Sequence, residues 1–179
     1  SGDVFIAAMY YRIFFFFFLA NEYIRETTDE KLDSRGVSGD LKTQVEQYRA
    51  EARFLRALSY YHALDLFGNV PFVTENDVVG AFFPTQIKRT ALFEYVEDEL
   101  LAIESAMAAA GSNEYGRADK AAVWTLLAKL YLNAEVYTGN ARYADAVEYS
   151  SRVINAGYAL EPDYANLFLA DNHLCDEVI

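Results

Sequence analysis

Cysteine and histidine are scarce in this chain of 179 residues. Its one cysteine, Cys175, excludes a framework of disulfide bonds within the chain, and we interpret it as an incidental thiol. The two histidines, His62 and His173, lie far apart and do not give the histidine–cysteine spacing of a zinc site. The sequence therefore predicts no bound metal and no cofactor.

Positive charge is also in short supply. Lysine and arginine number 15 against 27 aspartate and glutamate residues, which gives a formal net charge of -12 at pH 7. No local cluster of basic residues offsets this excess. Nucleic acids and anionic lipid headgroups attract Lys-rich and Arg-rich surfaces, so we expect neither to be a partner of this protein.

Motifs for catalysis are missing from the sequence. It contains no Gly-x-Ser-x-Gly, no cysteine with a histidine partner in a catalytic pattern and no glycine-rich phosphate loop. The acidic run Glu97-Asp98-Glu99 could suggest an acid–base pair, but catalytic carboxylates need a pocket. We predict that this run is the solvated face of a helix, and that the protein is not an enzyme.

Apolar and aromatic residues are abundant. They make up 53% and 16% of the chain, with 14 tyrosines and 13 phenylalanines, and this composition excludes intrinsic disorder. The length suits one domain with a substantial core. The aromatic residues could form either a helical core or platforms for a ligand. Since most of them recur at helical spacing, the core is the favoured interpretation.

Residues 4–20 form a long hydrophobic run that includes five consecutive phenylalanines at 14–18. A transmembrane helix needs about 20 apolar residues, but Arg12 in the middle would cost about 2.5–3.5 kcal/mol on insertion. A signal peptide fits no better, because the charge lies inside the run and no small-residue cleavage site follows. We predict a helix buried in protein and, because consecutive phenylalanines point all round it, covered on most sides.

The periodicity of apolar residues predicts an all-α fold with five helices. The first covers about residues 4–27 and the second about 41–67, with a polar loop between them at 33–40. After an irregular connection at 69–89, a third helix is predicted from the N-cap Thr90 to Gly111. Its buried stripe is predicted to consist of Phe93, Val96, Leu100, Ile103 and Met107.

The second helix is amphipathic and ends at Gly68, with Pro71 preventing its continuation. Its apolar face is predicted to contain Tyr48, Ala52, Leu55, Leu58, His62 and Leu66. The opposite side, predicted to be solvated, carries Arg49, Glu51, Arg53 and Arg56.

The fourth and fifth helices resemble a tetratricopeptide-like hairpin, in which small residues let two helices approach closely. The interlocking residues are Trp124, Leu127, Ala128 and Tyr131 on the first helix and Tyr143, Ala146 and Val153 on the second. We interpret Trp124 as a core residue and not as a sugar platform. The loop at 138–142 is longer than in the standard repeat and Ser150 replaces a large aromatic residue, which indicates a diverged repeat.

Residues 49–57, Arg-Ala-Glu-Ala-Arg-Phe-Leu-Arg-Ala, are followed by a Tyr-Tyr pair at 60–61 and by Phe-Gly-Asn-Val-Pro-Phe at 67–72. This combination resembles the signature helix and turn of the SusD-like (RagB/SusD) family of glycan-binding lipoproteins of the Bacteroidetes outer membrane. The structural signature, including the hairpin, comprises Arg49, Glu51, Arg53, Phe54, Arg56, Tyr60, Tyr61, Gly68, Pro71, Trp124, Tyr131 and Ala146.

Other segments carry the same resemblance. Residues 117–122 and 126–132 are similar to the family's Arg-Ala-x-Lys-x-Ala-Ala run, and residues 20–24 to its Ala-Asn-x-x-Ile. Residues 158–170 resemble the link to a short helical Tyr-x-x-Leu-Phe, and residues 175–179 the start of a following strand. The resemblance is strong over residues 48–179, weaker over 7–27, and absent for the phenylalanine run.

The resemblance implies that residues 1–179 form a single helical segment of the SusD-like fold, without the family's lipoprotein signal, anchoring cysteine and variable C-terminal half. It implies that the parent protein lies at the cell surface, captures an oligosaccharide without cleaving it, and caps a SusC-like TonB-dependent transporter. Likeness to the family's starch-binding members over residues 51–160 indicates starch or maltooligosaccharide as the ligand.

No segment matches a glycan site by motif, so no ligand-binding residue is taken from the family. The candidate ligand-binding residues are three aromatic residues expected to be exposed, Phe82, Phe83 and Tyr115. We expect residues 1–179 alone to bind weakly or not at all. Two other functions stay open: a tetratricopeptide-type protein-interaction module, and an engineered helical fragment without glycan binding.

Overall fold

The computed structural model describes residues 2–175 and residue 177, and it confirms the all-α class. Seven helices and one pair of two-residue strands account for most of the regular structure in the described residues. They are α1 (Val4–Glu26), α2 (Asp29–Ser34), α3 (Gly39–Phe67), β1 (Val70–Pro71), β2 (Gln86–Ile87), α4 (Arg89–Ile103), α5 (Lys120–Leu132), α6 (Ala134–Thr138) and α7 (Tyr143–Asn155). The strand predicted to start at 175–179 lies mainly outside the described residues.

The five predicted helices are present, and two short ones were missed. The first of these, α2, has Thr28 as its N-cap, and the second, α6, ends at Thr138 with Gly139 as its C-cap. The bounds of α4 also differ from the prediction, because the side chain of Asn69 accepts a hydrogen bond from the Arg89 N–H at 2.8 Å and fixes the start there. The helix ends at Ile103 and continues as a 3₁₀ turn over Glu104–Ala106.

The helices surround one core. Helix α3 packs against α1 on one side and α4 on the other, α5 pairs with α7, and α6 contacts α4. The predicted buried stripe is confirmed, since its four residues on α4 and Met107, which follows the 3₁₀ turn, are all buried.

The connection between α3 and α4 is docked on the core. Its strands pair antiparallel, with Val70 opposite Ile87. The buried hydroxyl of Tyr60 donates a hydrogen bond to the Val73 carbonyl at 2.7 Å and accepts one from the Val73 N–H at 2.8 Å. Gly68 caps α3 with a φ of 73°, which a residue with a side chain rarely adopts. The signature turn therefore has a structural role.

The predicted apolar face of α3 is wrong. Leu55 is 50% exposed, and His62 and Leu66 are also exposed. The buried residues of the helix are Ala50, Phe54, Arg56, Ala57, Ser59, Tyr60, Tyr61, Ala63 and Leu64. The reason is that α3 lies between two helices, α1 and α4, so it buries two faces and leaves a third, partly apolar face open.

The prediction that α1 is covered on most sides is also wrong. Phe17 is fully buried and stacks on Tyr60 with a centroid distance of 4.7 Å, but Phe15, Phe16 and Phe18 remain about half exposed. The buried residues are Ile13, Phe14, Phe17, Ala20, Asn21 and Ile24, all on the side facing α3. By length and hydropathy alone, α1 could cross a membrane, a property that core helices and signal sequences share.

The predicted hairpin of α5 and α7 is confirmed. Leu127, Tyr131 and Ala146 are buried at its interface, and Trp124 is half-buried. Tyr143 is an exception, because its ring is exposed and its hydroxyl donates a hydrogen bond to Glu135 of α6 at 2.5 Å.

Candidate functional site

A groove of about 670 Å³ runs between α3, α5 and the loop of residues 111–119. Its floor is apolar, with Leu55 and Leu58 contributed by α3 and Ala122 and Leu126 by α5. This floor includes part of the α3 face that was predicted to be buried. The volume falls within the range of about 300–1,000 Å³ that is typical of small-molecule sites.

Two tyrosines line the groove on the side of the loop. Tyr115 is 68% exposed, and its ring meets that of His173 edge to face at 5.5 Å. Tyr158 is half-buried, and its hydroxyl donates a hydrogen bond to Asp119 at 3.2 Å. Burial and the neighbouring Asp119 raise the pKa of the Tyr158 hydroxyl, which keeps it protonated as a donor. The groove thus presents one largely exposed aromatic ring, that of Tyr115, and one held by a hydrogen bond, that of Tyr158.

The loop is held by Asp119, the N-cap of α5. One of its oxygens accepts hydrogen bonds from the N–H groups of Ala121 and Ala122 at 2.7 and 3.2 Å. The other accepts from the Gly111 N–H at 2.6 Å and from Tyr158. A single buried carboxylate therefore joins the start of the loop, its end and the chain beyond α7.

Glu51 fastens the loop to α3. Its carboxylate accepts hydrogen bonds from Arg117 at 2.6 and 3.1 Å and from Asn113 at 3.2 Å. The Arg117 guanidinium lies 4.7 Å from the centre of the Tyr48 ring. The hydrogen bond with Glu51 raises the pKa of Arg117 above its ordinary value. Glu51 was predicted to be solvated, and instead it positions one wall of the groove.

Two polar side chains of α5 line the groove, and that of Lys129 is open to a ligand. The Thr125 hydroxyl is buried and has no hydrogen-bond partner among the described residues. The side chain of Lys129 is exposed, and its ammonium lies 5.9 Å from the centre of the Tyr61 ring. Both residues line the groove. Sequence reasoning missed them because the groove is formed only when α5 packs beside α3.

The three aromatic residues predicted as candidates for ligand binding are in different environments. Tyr115 lines the groove, as described above. Phe83 is fully exposed in the connection between β1 and β2. Phe82, which was predicted to be exposed, is half-buried against the core. Of the three, only Tyr115 is among the residues that line the groove.

The basic residues of the signature are not solvated as predicted. Arg56 is only 2% exposed, and it donates hydrogen bonds to Asn21 of α1 at 2.8 Å and to Glu99 of α4 at 2.7 Å. It also pairs with Glu75. Arg53 binds the same Glu99 carboxylate at 2.7 and 3.1 Å. Periodicity alone cannot distinguish a basic face that lies in solvent from one whose arginines form ion pairs with acidic residues of other elements.

The acidic run on α4 is likewise not a solvated face, except at Asp98. Glu99 is part-buried between the two arginines; burial acts to raise its pKa, but Arg53 and Arg56 outweigh this and hold it below the ordinary value. Glu97 accepts hydrogen bonds from Tyr131 at 2.7 Å and from Arg142 at 3.1 Å.

Arg49 completes the set of signature contacts. Its guanidinium donates to Asp29 of α2 at 2.7 Å and to the Thr27 carbonyl. The signature residues of α3 therefore fasten the helix to α1, α2, α4 and the 111–119 loop, and their role is structural. Among residues 2–175 and 177, no group of three or more His, Cys, Asp or Glu side chains could hold a metal ion.

No protein-family model matches the chain. The starch-binding protein SusD of Bacteroides thetaiotaomicron is 51% identical over 126 residues, which cover 69% of this chain and 22% of that protein. The SusD-like protein P2 of Formosa agariphila is 29% identical over 151 residues, covering 81% of this chain and 28% of that protein.

The solved structure of a laminarin-binding SusD-like protein superposes with a TM-score of 0.77 and 23% identity, covering 93% of this chain and 35% of that one. The chain thus spans between 22% and 35% of the length of these relatives. In sequence and in fold, it belongs with the SusD-like proteins.

Proposed function

We propose that this chain is the helical part of a longer protein that captures an oligosaccharide at the cell surface and delivers it to a SusC-like TonB-dependent transporter. The observation that carries the proposal is the 51% identity over 126 residues to a protein named for starch binding. The helical fold shared with a laminarin-binding SusD-like protein supports the same class of function.

Starch or maltooligosaccharide is the proposed ligand. The relative named for starch is 51% identical to this chain, whereas the one named for laminarin is 23% identical. Since identity at the lower level indicates only a common fold, the first name is the better guide to the ligand. The proposed location is the outer membrane, where the longer protein would be held by a lipid anchor.

The proposed binding is non-catalytic. The part-buried carboxylates of Glu51, Glu97 and Glu99 are each paired with one or two arginines, and they are used to hold elements together. For Glu99, whose pKa is held below its ordinary value by Arg53 and Arg56, the ionised form is favoured, and this carboxylate is unsuited to donating a proton as a general acid.

The product of the complete reading frame tests this proposal. We expect calorimetry to detect binding of maltoheptaose, a reducing-sugar assay to detect no new ends, and affinity purification from native membranes to recover a TonB-dependent transporter. Release of reducing ends would overturn the non-enzyme proposal. Absence of binding to starch-type glucans, with binding to a different glycan, would overturn the ligand while keeping the class of function.

A further inference from the structure

The groove combines apolar and polar features that a polyhydroxylated ligand needs. Sugar rings have C–H faces that pack on aromatic or aliphatic surfaces, and hydroxyl edges that need hydrogen-bond partners. The groove offers the exposed ring of Tyr115 and the half-exposed Leu55 for the first. For the second it offers the Lys129 ammonium.

The charge of the groove selects among possible glycans. Its ionisable Lys, Arg, Asp and Glu residues are Arg117 and Lys129 against Glu114 and Asp119, so the formal charges cancel. The whole chain carries -12, which repels anions approaching from solution. A carboxylated or sulfated oligosaccharide would therefore gain no net electrostatic attraction in the groove. The binding of an uncharged oligosaccharide does not depend on such attraction.

We propose that the groove between α3, α5 and residues 111–119 is a subsite for an uncharged oligosaccharide. The Tyr115 ring stacks on one sugar unit at the mouth, and Lys129 binds hydroxyls farther along α5. This inference rests on the proposed glycan-binding function, and it places one point of contact within the present chain. A groove open along one side covers part of a ligand, so the expected affinity is low.

The test is a titration of the ¹⁵N-labelled chain with maltoheptaose into the millimolar range, followed through backbone amide shifts. We expect the shifted amides to cluster at residues 111–119 and 122–129. Tyr115→Ala should weaken binding at least about tenfold, because it removes the stacking surface. Lys129→Met keeps most of the length of the side chain, and should weaken binding about two- to tenfold through the loss of the ammonium's hydrogen bonds.

Phe83→Ala is the matched control, because it also removes an exposed aromatic ring but lies outside the groove. It should leave the affinity unchanged. A heptamer of galacturonic acid should bind at least about tenfold more weakly than maltoheptaose, since each of its rings carries a carboxylate. Equal binding of the two would overturn the selection for uncharged ligands.

The inference can fail while the proposed function stands. If maltoheptaose shifts no groove amide, or if Tyr115→Ala binds as well as the wild type, the subsite is wrong. The product of the complete reading frame then separates the two proposals. Binding there that is insensitive to Tyr115→Ala refutes the groove alone, whereas no binding of any glycan by either protein refutes both.

Discussion

Glu97 of α4 and Glu104, the first residue of the 3₁₀ turn that follows α4, lie seven residues apart, and each receives one hydrogen bond from α5 and one from an arginine of the α7 region. Glu97 accepts from Tyr131 and Arg142. Glu104 accepts from Trp124 at 2.9 Å and from Arg152 at 3.2 Å.

Each of these arginines lies over a tyrosine ring as well. Arg142 is 4.6 Å from the centre of the Tyr131 ring, and Arg152 is 4.4 Å from that of Tyr149. The two polar contacts, two helical turns apart, fix the α5–α7 hairpin against α4 both in position along the helix and in rotation.

Trp124→Ala should lower the free energy of unfolding by about 3 kcal/mol, the lower end of the range for buried aromatic residues, because Trp124 is only half-buried. Trp124→Phe retains a ring but loses the hydrogen bond to Glu104, and should cost about 1 kcal/mol. Urea unfolding followed by circular dichroism measures both. A stable Trp124→Ala protein that had lost only glycan binding would show that this residue is a sugar platform after all.

Within the phenylalanine run, neighbouring substitutions should differ sharply. Phe17 is fully buried and stacks on Tyr60, whereas Phe16 is 50% exposed. Phe17→Ala should cost about 3–5 kcal/mol, and Phe16→Ala should cost less than about 1.5 kcal/mol. The same unfolding experiment compares them. Equal losses would mean that the outer face of α1 is covered in solution.

Glu99→Gln should destabilise the protein by about 3–5 kcal/mol, because it leaves the buried Arg56 and the part-buried Arg53 without their shared carboxylate. The matched control is Asp98→Asn, a change of the same kind at the exposed neighbouring position, for which we expect a change within about 0.5 kcal/mol. If both variants unfolded at the wild-type urea concentration, the ion-pair network would contribute nothing.

The same carboxylate predicts a loss of stability in acid. The pKa of Glu99 in the folded protein lies below its ordinary value of 4.5, so the folded state binds its proton less tightly than the unfolded state does. Its contribution is complete above that ordinary value and is lost as the pH falls through the lower, folded-state pKa. Unfolding free energies at pH 7 and pH 3 should therefore differ less in Glu99→Gln than in the wild type. An equal difference would contradict the depressed pKa.

The sequence was sufficient to predict the helices that carry strong periodic signals. The stripe of α4 has one buried face, so spacing alone identified residues such as Val96 and Leu100. The hairpin was predicted because its small residue, Ala146, lies opposite large ones. The pattern of small and large residues that identifies the hairpin involves only segments that are close together in sequence.

The faces of α1 and α3 could not be predicted in this way. A run of phenylalanines has the same pattern whether one helix or several cover it. Among the described elements, α3 is the main neighbour of α1. The charge of Arg56 predicted a solvated side chain. The side chain is instead buried, because it donates a hydrogen bond to Glu99, 43 positions away in sequence. For the groove, Tyr115 was predicted from its expected exposure alone, whereas identifying Lys129 required knowledge of which helices are adjacent.

Asp119 orders one wall of the groove in the absence of a ligand. Because its carboxylate joins Gly111, the start of α5 and Tyr158, the loop wall is ordered before anything binds. The conformational entropy of that wall is lost on folding and not on association. Preorganisation of this kind would let a shallow groove hold the proposed ligand with few contacts. Loosening the Asp119 junction should weaken that proposed binding without removing a group that is proposed to touch the sugar.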